Sequence, residues 1–364
     1  MRKKKFMFFV QGEGRGHLTQ AIAMQDILIQ EGHEINAIVI GMSPRREIPA
    51  YVYQRFSCPI HRLDSPNFVT DKHNKGIKIG ASILSVIANA GKFNKSIRLM
   101  HEWIGEIDPD VILNFFDPLV GLYYLTHNCK VPHICVAHQY IYHHEDFQFP
   151  RGKFSDRFAL KWFTGLTGSG AVKRLAISFY GMSPSKDKRI TIVPPLLRKE
   201  LFNIKATEKD FYLVYLVNNG YIADVLSWHQ QHPDKVIHCF TDKNELPSIG
   251  DVSENFHVHQ LDDKKFLELM AEAKALVTTA GFESVCEAMY LQKPVLMVPV
   301  QGHFEQYCNA RDAFYAGAGI YSDAFHLQNI VEFASGSTAD NSSFREWVNS
   351  SRDCIYNELK SVLQ

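Results

Sequence analysis

Apolar and polar positions along the 364-residue chain follow two alternating patterns. Short apolar runs such as KFMFFV, residues 5–10, have the length of buried strands, and the segments after them carry apolar residues at helical spacing. The first run is followed by a helix predicted from Thr19 to Glu31, which ends at Gly32, and then by the strand EINAIVIG. This βαβ order predicts a mostly parallel sheet.

The alternation is interrupted once and then resumes. In the first half, further strands are predicted at DVILNFF, PHICVA and RLAISF, with helices between them. After the proline-containing KRITIVPPLLRKEL, the pattern restarts at DFYLVYLVNNG and continues to PVLMVPV. We therefore predict an α/β protein of two Rossmann-like, doubly wound domains, residues 1–195 and 196–342, which face each other across a cleft. A helix at 343–364 is expected to pack back on the first domain.

Composition excludes several classes of protein. Lys plus Arg equals Asp plus Glu at 39 each, so no overall positive charge indicates a nucleic-acid partner. The seven cysteines are odd in number and form no C-x-x-C pair, which favours free thiols in the reducing cytoplasm. The apolar run after MRKKK is about five residues, shorter than the roughly 7 to 15 of a signal peptide. No window approaches the ~20 apolar residues of a membrane-spanning helix.

A glycine-rich turn follows the first predicted strand. Gly12, Gly14 and Gly16 give the spacing G-x-G-x-G-H, whereas the dinucleotide-binding fingerprint requires G-x-G-x-x-G. Arg15 also occupies a small-residue position of that fingerprint. The turn therefore argues against a nicotinamide cofactor and leaves the role of His17 to be explained.

The most specific stretch is TTAGFESVCEAMYLQKPVLMVPVQGHFEQYCNA, residues 278–310. A strand runs into Gly281, and the helix predicted to begin there exposes backbone N–H groups and a positive dipole end that can hold a phosphate. Glu287 follows on the same helix and could accept hydrogen bonds from a ribose diol. The loop after the next strand brings Glu305 and Gln306 to the same edge of the sheet.

At these residues the chain resembles the GT-B nucleotide-sugar glycosyltransferases, in particular the branch of the lipid II-forming N-acetylglucosaminyltransferase and the UDP-glycosyltransferases. The family motif combines a glycine, a Glu six residues later on a helix, a strand that ends in Pro, and a polar-Gln-x-x-Asn loop. Gly281, Glu287, Pro299 and the segment 305–309 match it. The N-terminal GEGRGHLTQAIAMQDILIQEGHEI also resembles the family's first loop and helix.

The resemblance implies an inverting, metal-independent transfer of a sugar from a UDP-sugar to an acceptor hydroxyl, on a lipid-linked acceptor or a cell-envelope glycan precursor. Residues 1–195 would bind the acceptor, with Gly14, Arg15 and Gly16 as the acceptor-side loop, and residues 196–342 would bind the donor. The implied donor-binding residues are Asn219, Gly220, Gly281, Phe282, Glu283, Glu287, His303, Glu305 and Gln306. No cofactor is expected, since the nucleotide sugar is a co-substrate, and no metal, since helix dipole and amides stabilise the leaving diphosphate.

His17 is the candidate general base, because a neutral imidazole can take the proton of an acceptor hydroxyl near pH 7. Asp117, in a segment that resembles the one supplying an aspartate beside this histidine in the natural-product branch, is the candidate orienting partner. The alternatives are that His17 caps the glycine turn and that Asp117 forms a turn with the proline after it. A plain turn around Gly220 and solvent exposure of His303 also remain open.

Residues 147–166 interleave Arg and Lys with Phe and Trp. They could rest on the anionic inner face of a membrane, as a peripheral contact of a cytoplasmic protein, or form an ordinary amphipathic helix that covers the first domain. Two other functions stay open: a nucleotide-sugar 2-epimerase of the same fold, and a non-catalytic protein that binds a nucleotide sugar.

Overall fold

The computed structural model describes residues 2–43, 47–66, 90–216, 221–241, 254–336 and 340–364. They form two compact units. The first comprises the described residues up to Arg198 together with Trp347–Gln364, and the second comprises those from Lys199 to Glu346.

The first unit is built on a parallel sheet, which has seven strands in the described ranges, in the order β3-β2-β1-β4-β5-β6-β7. These strands are β1 (Lys5–Gln11), β2 (Glu34–Met42), β3 (Ile60–Asp64), β4 (Val111–Phe115), β5 (His133–Ala137), β6 (Lys173–Ile177) and β7 (Ile190–Val193). The central strands are apolar along their length, because helices cover both faces of such a sheet. All five residues of β4 and of β5 are buried.

Helices connect the strands of this sheet. They are α1 (Arg15–Gln30), α2 (Ala50–Arg55), α3 (Ala90–Ile107), α4 (Pro118–Thr126) and α5 (Phe154–Thr167), with a 3₁₀ helix at His138–His143. On one face, α3 and α4 pack over β1, β2 and β4 around Met100, Tyr123 and their neighbours. Because β1 and β4 are adjacent, the connections leave them towards opposite edges of the sheet, which opens a crevice at their carboxyl ends.

The second unit repeats this plan with a parallel sheet of six strands in its described part, ordered β10-β9-β8-β11-β12-β13. The strands are β8 (Phe211–Tyr215), β9 (Val236–Thr241), β10 (Phe256–Gln260), β11 (Ala275–Thr278), β12 (Val295–Met297) and β13 (Gly319–Tyr321). Its helices are α6 (Ile222–Gln231), α7 (Asp263–Glu272), α8 (Phe282–Tyr290), α9 (Phe304–Tyr315) and α10 (Leu327–Gly336), after a 3₁₀ helix at Lys199–Asn203. The two sheets confirm the predicted fold of two doubly wound α/β sheets.

The end of the chain differs from the single predicted helix. It forms α11 (Ser342–Asn349) and α12 (Ser351–Leu363), with a break at Ser350. The Ser350 hydroxyl donates to the Trp347 carbonyl over 2.7 Å, a local bond that competes with continuation of the helix. Tyr356 of α12 contacts His33 of the first unit, its hydroxyl 3.0 Å from His33 Nε2.

Candidate functional site

A backbone hydrogen bond holds the glycine turn against the carboxyl end of β2. The Gly12 N–H donates to the Gly41 carbonyl at the end of β2, over 2.8 Å. A Cβ on Gly12 would come within 2.6 Å of the Ile40 side chain, so the close passage of these two segments requires this glycine. Gly14, by contrast, has open space around it and lies just before α1.

His17 lies in the first turn of α1, directly after this loop. Its ring is half-buried, and its Nδ1 is 3.3 Å from the amide oxygen of Gln20. Because an amide oxygen only accepts, this contact puts the ring proton on Nδ1 and leaves a lone pair on Nε2. Within the described part of the chain, Nε2 has no hydrogen-bond partner. In the described part of the chain His17 makes no hydrogen bond to the glycine turn, and its role as a base stays a prediction.

Loss of solvation on burial lowers the pKa of His17 to about 4, and the hydrogen bond with Gln20 offsets this only in part. The imidazole is accordingly neutral at pH 7. A neutral ring with a lone pair on Nε2 is in the protonation state that a general base requires.

Phe116 fixes the other side of the imidazole. It follows β4 and has a φ of 65°, in the left-handed region that a bulky side chain seldom adopts. Its ring stacks on His17 with the centroids 5.5 Å apart and meets Tyr140 and Phe163 edge-on. Unusual backbone conformations of this kind cluster at functional sites.

Asp117, the next residue, is 2% exposed and does not contact His17 by a hydrogen bond among the described residues. Its Oδ1 instead accepts from the Leu119 N–H at 2.9 Å, which caps α4, and from the Ser65 hydroxyl at 3.0 Å. Burial raises the pKa of Asp117 to about 7, although both hydrogen bonds oppose the rise. In this structure Gln20, which the sequence reasoning missed, makes the contact predicted for Asp117.

Gly41 makes room for this carboxyl group. A Cβ at position 41 would lie 1.7 Å from Asp117 Oδ2 and 2.8 Å from the Ser65 Cβ. The carboxyl ends of β2 and β4 can therefore enclose Asp117 only with glycine at this position.

In the second unit, the predicted strand-to-helix motif lies at the equivalent place, after β11. Ala280 has a φ of 60°, and Gly281 precedes α8. A Cβ on Gly281 would meet only the Ser284 hydroxyl, at an ordinary 3.7 Å. The fold itself therefore does not require glycine here, whereas a ligand that approaches the helix N-terminus closely would. The Asn309 amide donates to the Ala280 carbonyl over 3.4 Å and ties α9 to this turn.

The carboxylates of α8 are less accessible than the sequence suggested. Glu287 is only 1% exposed, and Glu283 is half-buried. Burial, followed by the charges of Glu283, Glu287 and Asp312, raises the pKa of the Cys286 thiol, so these acidic groups lie around it. A role for Glu287 in ribose binding has to be tested by a substitution that keeps its volume.

His303 and Gln306 shape the loop before α9. Nδ1 of His303 accepts from the Gln306 N–H at 3.4 Å, so the ring proton is on Nε2, and burial lowers the pKa to about 4. The Gln306 side-chain oxygen accepts from the Val300 N–H at 2.8 Å. His303 thus caps α9 and presents an N–H donor. Phe282 is buried, Glu305 is half-buried, and Asn219 and Gly220 lie outside the described residues.

The basic and aromatic segment at 147–166 contains α5. Phe154, Phe158 and Trp162 are 79%, 72% and 61% exposed, while Leu160, Thr164 and Thr167 face inward. No helix in the described ranges is long and apolar enough to cross a bilayer.

Comparison with known proteins agrees with this architecture. The model of glycosyl transferase family 1 matches residues 4–335. An uncharacterized glycosyltransferase of Methanosarcina acetivorans is 24% identical over 343 residues, 86% of this chain and 82% of its own length. The solved glycotransferase of kitacinnamycin has a TM-score of 0.68 at 16% identity over the full length of both chains. Arabidopsis thaliana UGT89C1 complexed with UDP-L-rhamnose has a TM-score of 0.64 at 14% identity, over 100% of this chain and 99% of that one.

The two parallel sheets together with the family match define a glycosyltransferase of the GT-B type that uses a nucleotide sugar. The family match covers most of the chain, which belongs to glycosyl transferase family 1. The resemblance inferred from the sequence is thereby confirmed.

Proposed function

We propose that the protein transfers a sugar, with inversion and without a metal, from a UDP-sugar to a hydroxyl of a lipid-linked acceptor or cell-envelope glycan precursor, with His17 as the general base. The observation that carries this proposal is the state of His17: a neutral ring with its proton on Nδ1 and an unpartnered Nε2 at the topological switch point of the sheet.

Deprotonation of the hydroxyl accompanies attack on the anomeric carbon in a single displacement. The acceptor oxygen bonds to that carbon as the bond to the diphosphate breaks, and Nε2 takes the acceptor proton. The Nδ1–H of His17 stays hydrogen-bonded to the side-chain oxygen of Gln20, which fixes the tautomer and the ring orientation while the imidazolium forms. The stacked ring of Phe116 limits rotation of the imidazole.

The leaving diphosphate is assigned to the N-terminus of α8 at Gly281, where aligned N–H groups and the helix dipole favour negative charge. The Nε2–H of His303 is a second candidate donor to the phosphates. The bound UDP-L-rhamnose of the Arabidopsis structure, in a protein of this fold, supports uridine diphosphate as the nucleotide. Glu287 is assigned to the ribose, on the motif alone.

The donor is identified first, by thermal shift with UDP-glucose, UDP-N-acetylglucosamine and UDP-L-rhamnose, because a bound ligand raises the melting temperature with the logarithm of its concentration. Single-turnover transfer to a panel of lipid-linked and soluble hydroxyl acceptors then compares wild type with His17→Ala. We expect a loss of roughly 10²–10⁴ in the transfer rate with unchanged donor affinity. Transfer that survives His17→Ala would remove the base assignment, and donor turnover without acceptor would favour the epimerase.

The role of Gln20 has its own readout. The rate of the wild-type protein should fall only when His17 becomes protonated, near the lowered pKa of about 4. Gln20→Glu places a carboxylate beside the Nδ1–H of His17. Its negative charge raises the pKa of His17 and moves the acid limb of the pH–rate profile to higher pH. A structural role alone would lower the rate without moving that limb.

A further inference from the structure

The exposed face of α5 carries large aromatic side chains. Phe154 and Phe158 are the two most exposed large apolar side chains among the described residues, and Trp162 continues the same stripe. At about 100° per residue, these three side chains lie within an arc of roughly 80°. We define Phe154, Phe158 and Trp162 as the aromatic stripe.

Basic side chains border the aromatic stripe on one side. Arg157 and Lys161 lie next to it on the helix, and together with the stripe they form one continuous face of α5. The Arg157 guanidinium sits 4.4 Å from the centre of the Phe149 ring, which holds it beside the stripe. Arg151 and Lys153, just before the helix, are also exposed.

Along α5 itself, acidic charge lies away from this face. Asp156 is the acidic residue of α5, and its position is roughly 160° around the helix from the centre of the stripe. Among the residues of α5, this face therefore combines apolar rings with positive charge. This combination is complementary to a bilayer with anionic headgroups, into which aromatic side chains insert while Lys and Arg contact the headgroups.

The inner side of α5 connects the stripe to the candidate base. Phe163, next to Trp162 in the chain, meets the Phe116 ring edge-on at 5.8 Å, and Phe116 stacks on His17. The helix that carries the stripe is thus separated from the base by a single aromatic ring.

We propose that the aromatic stripe with Arg157 and Lys161 docks the protein on an anionic lipid bilayer and thereby presents a lipid-linked acceptor to His17. The docking stands on the surface itself, whereas its purpose rests on the proposed function. A free protein partner or a second copy of the chain would be the competing occupant of the same face.

Co-sedimentation with phosphatidylglycerol vesicles and with phosphatidylcholine vesicles tests the docking, without donor or acceptor. The wild-type protein should bind the anionic vesicles, weakly so at high salt because salt screens the headgroup charge. The double variant Phe158→Ala/Trp162→Ala should lower the partition coefficient about tenfold or more, given the apolar area each ring removes from water. Tyr53→Ala, which truncates a ring that is 57% exposed on α2, is the matched control and should bind as wild type does.

A second pair of changes tests the charge. Arg157→Gln/Lys161→Gln should weaken binding to phosphatidylglycerol by about fivefold per charge, and should leave any binding to phosphatidylcholine unaltered. Equal wild-type binding to both vesicles, or none to either, would overturn the proposal. So would a concentration-dependent dimer that the double aromatic variant dissociates, since the face would then belong to a second copy.

Failure of the docking and failure of the proposed function are distinguishable. His17→Ala should keep vesicle binding unchanged while transfer is lost. Phe158→Ala/Trp162→Ala should keep transfer to a soluble acceptor while transfer to an acceptor held in phosphatidylglycerol vesicles falls.

Discussion

Replacement of Asp117 by Asn changes the pH dependence of stability by an amount that the structure sets. The carboxyl group is enclosed by Gly41 and Ser65, and burial raises its pKa from 3.8 to about 7. Asn keeps an oxygen that can accept from the Leu119 N–H and the Ser65 hydroxyl, so the cap of α4 is retained. The Asn side chain does not ionise in this pH range.

The sign follows from the raised pKa. Between pH 4 and pH 7 the folded state holds the Asp117 proton and the unfolded state releases it, so stability falls as pH rises through this window. The penalty is absent below about pH 4 and complete above about pH 7. Three pKa units at 1.36 kcal/mol each give about 4 kcal/mol.

Scanning calorimetry of wild type and Asp117→Asn from pH 4 to pH 8 measures the difference, in which the contributions of all other titrating groups cancel. We expect the melting temperature of the variant, relative to wild type, to rise by about 10 °C across this range, at 2–4 °C per kcal/mol for a unit of this size. If the melting temperatures of wild type and variant changed in parallel with pH, the raised pKa of a buried Asp117 would be refuted. Loss of transfer by more than a hundredfold in the same variant would return the orienting role to Asp117.

Two further predictions concern glycines and the donor motif. Gly281→Ala and Glu287→Gln should each weaken donor binding about tenfold or more in calorimetric titration. The melting temperature should stay near wild type, because neither change overfills the protein. Unaltered affinity in both variants would remove the donor site from α8. Gly121→Ala places a Cβ 1.8 Å from the Leu166 carbonyl where α4 meets α5, and should lower the free energy of unfolding by more than about 2 kcal/mol. Gly105→Ala, whose Cβ has nothing within 4 Å, should raise it by about 0.5–1 kcal/mol. Denaturant titration measures both, and equal effects would contradict the packing argument.

The fold was predictable because its central strands are buried on both faces and therefore form uninterrupted apolar runs. The edge strands β3, β7 and β13 escaped prediction, since they contain only five, four and three residues and each is only partly buried. The break at Ser350 was missed because it depends on a side-chain bond to the backbone that the apolar spacing does not reveal.

The site was predictable in its motifs and less so in its contacts. His17 and Gly281 stand in short segments whose spacing carries the resemblance. Gln20 was missed because its contact with His17 depends on ring orientation as well as helical spacing. The burial of Asp117 depends on Gly41, which is distant in the chain and adjacent only after β2 and β4 have joined the sheet.

The position of α12 in the chain sets the order in which the two units can be completed during synthesis. Its Tyr356 bonds to His33, its Glu358 pairs with Lys173, and its Leu359 and Leu363 are buried in the first unit, yet a ribosome makes these residues after the whole second unit. The first sheet therefore emerges from the ribosome with one surface uncovered, and it waits through the synthesis of about 150 residues, at some 5–20 per second, before its final helix arrives. The half of the protein that is translated first is the half that is completed last.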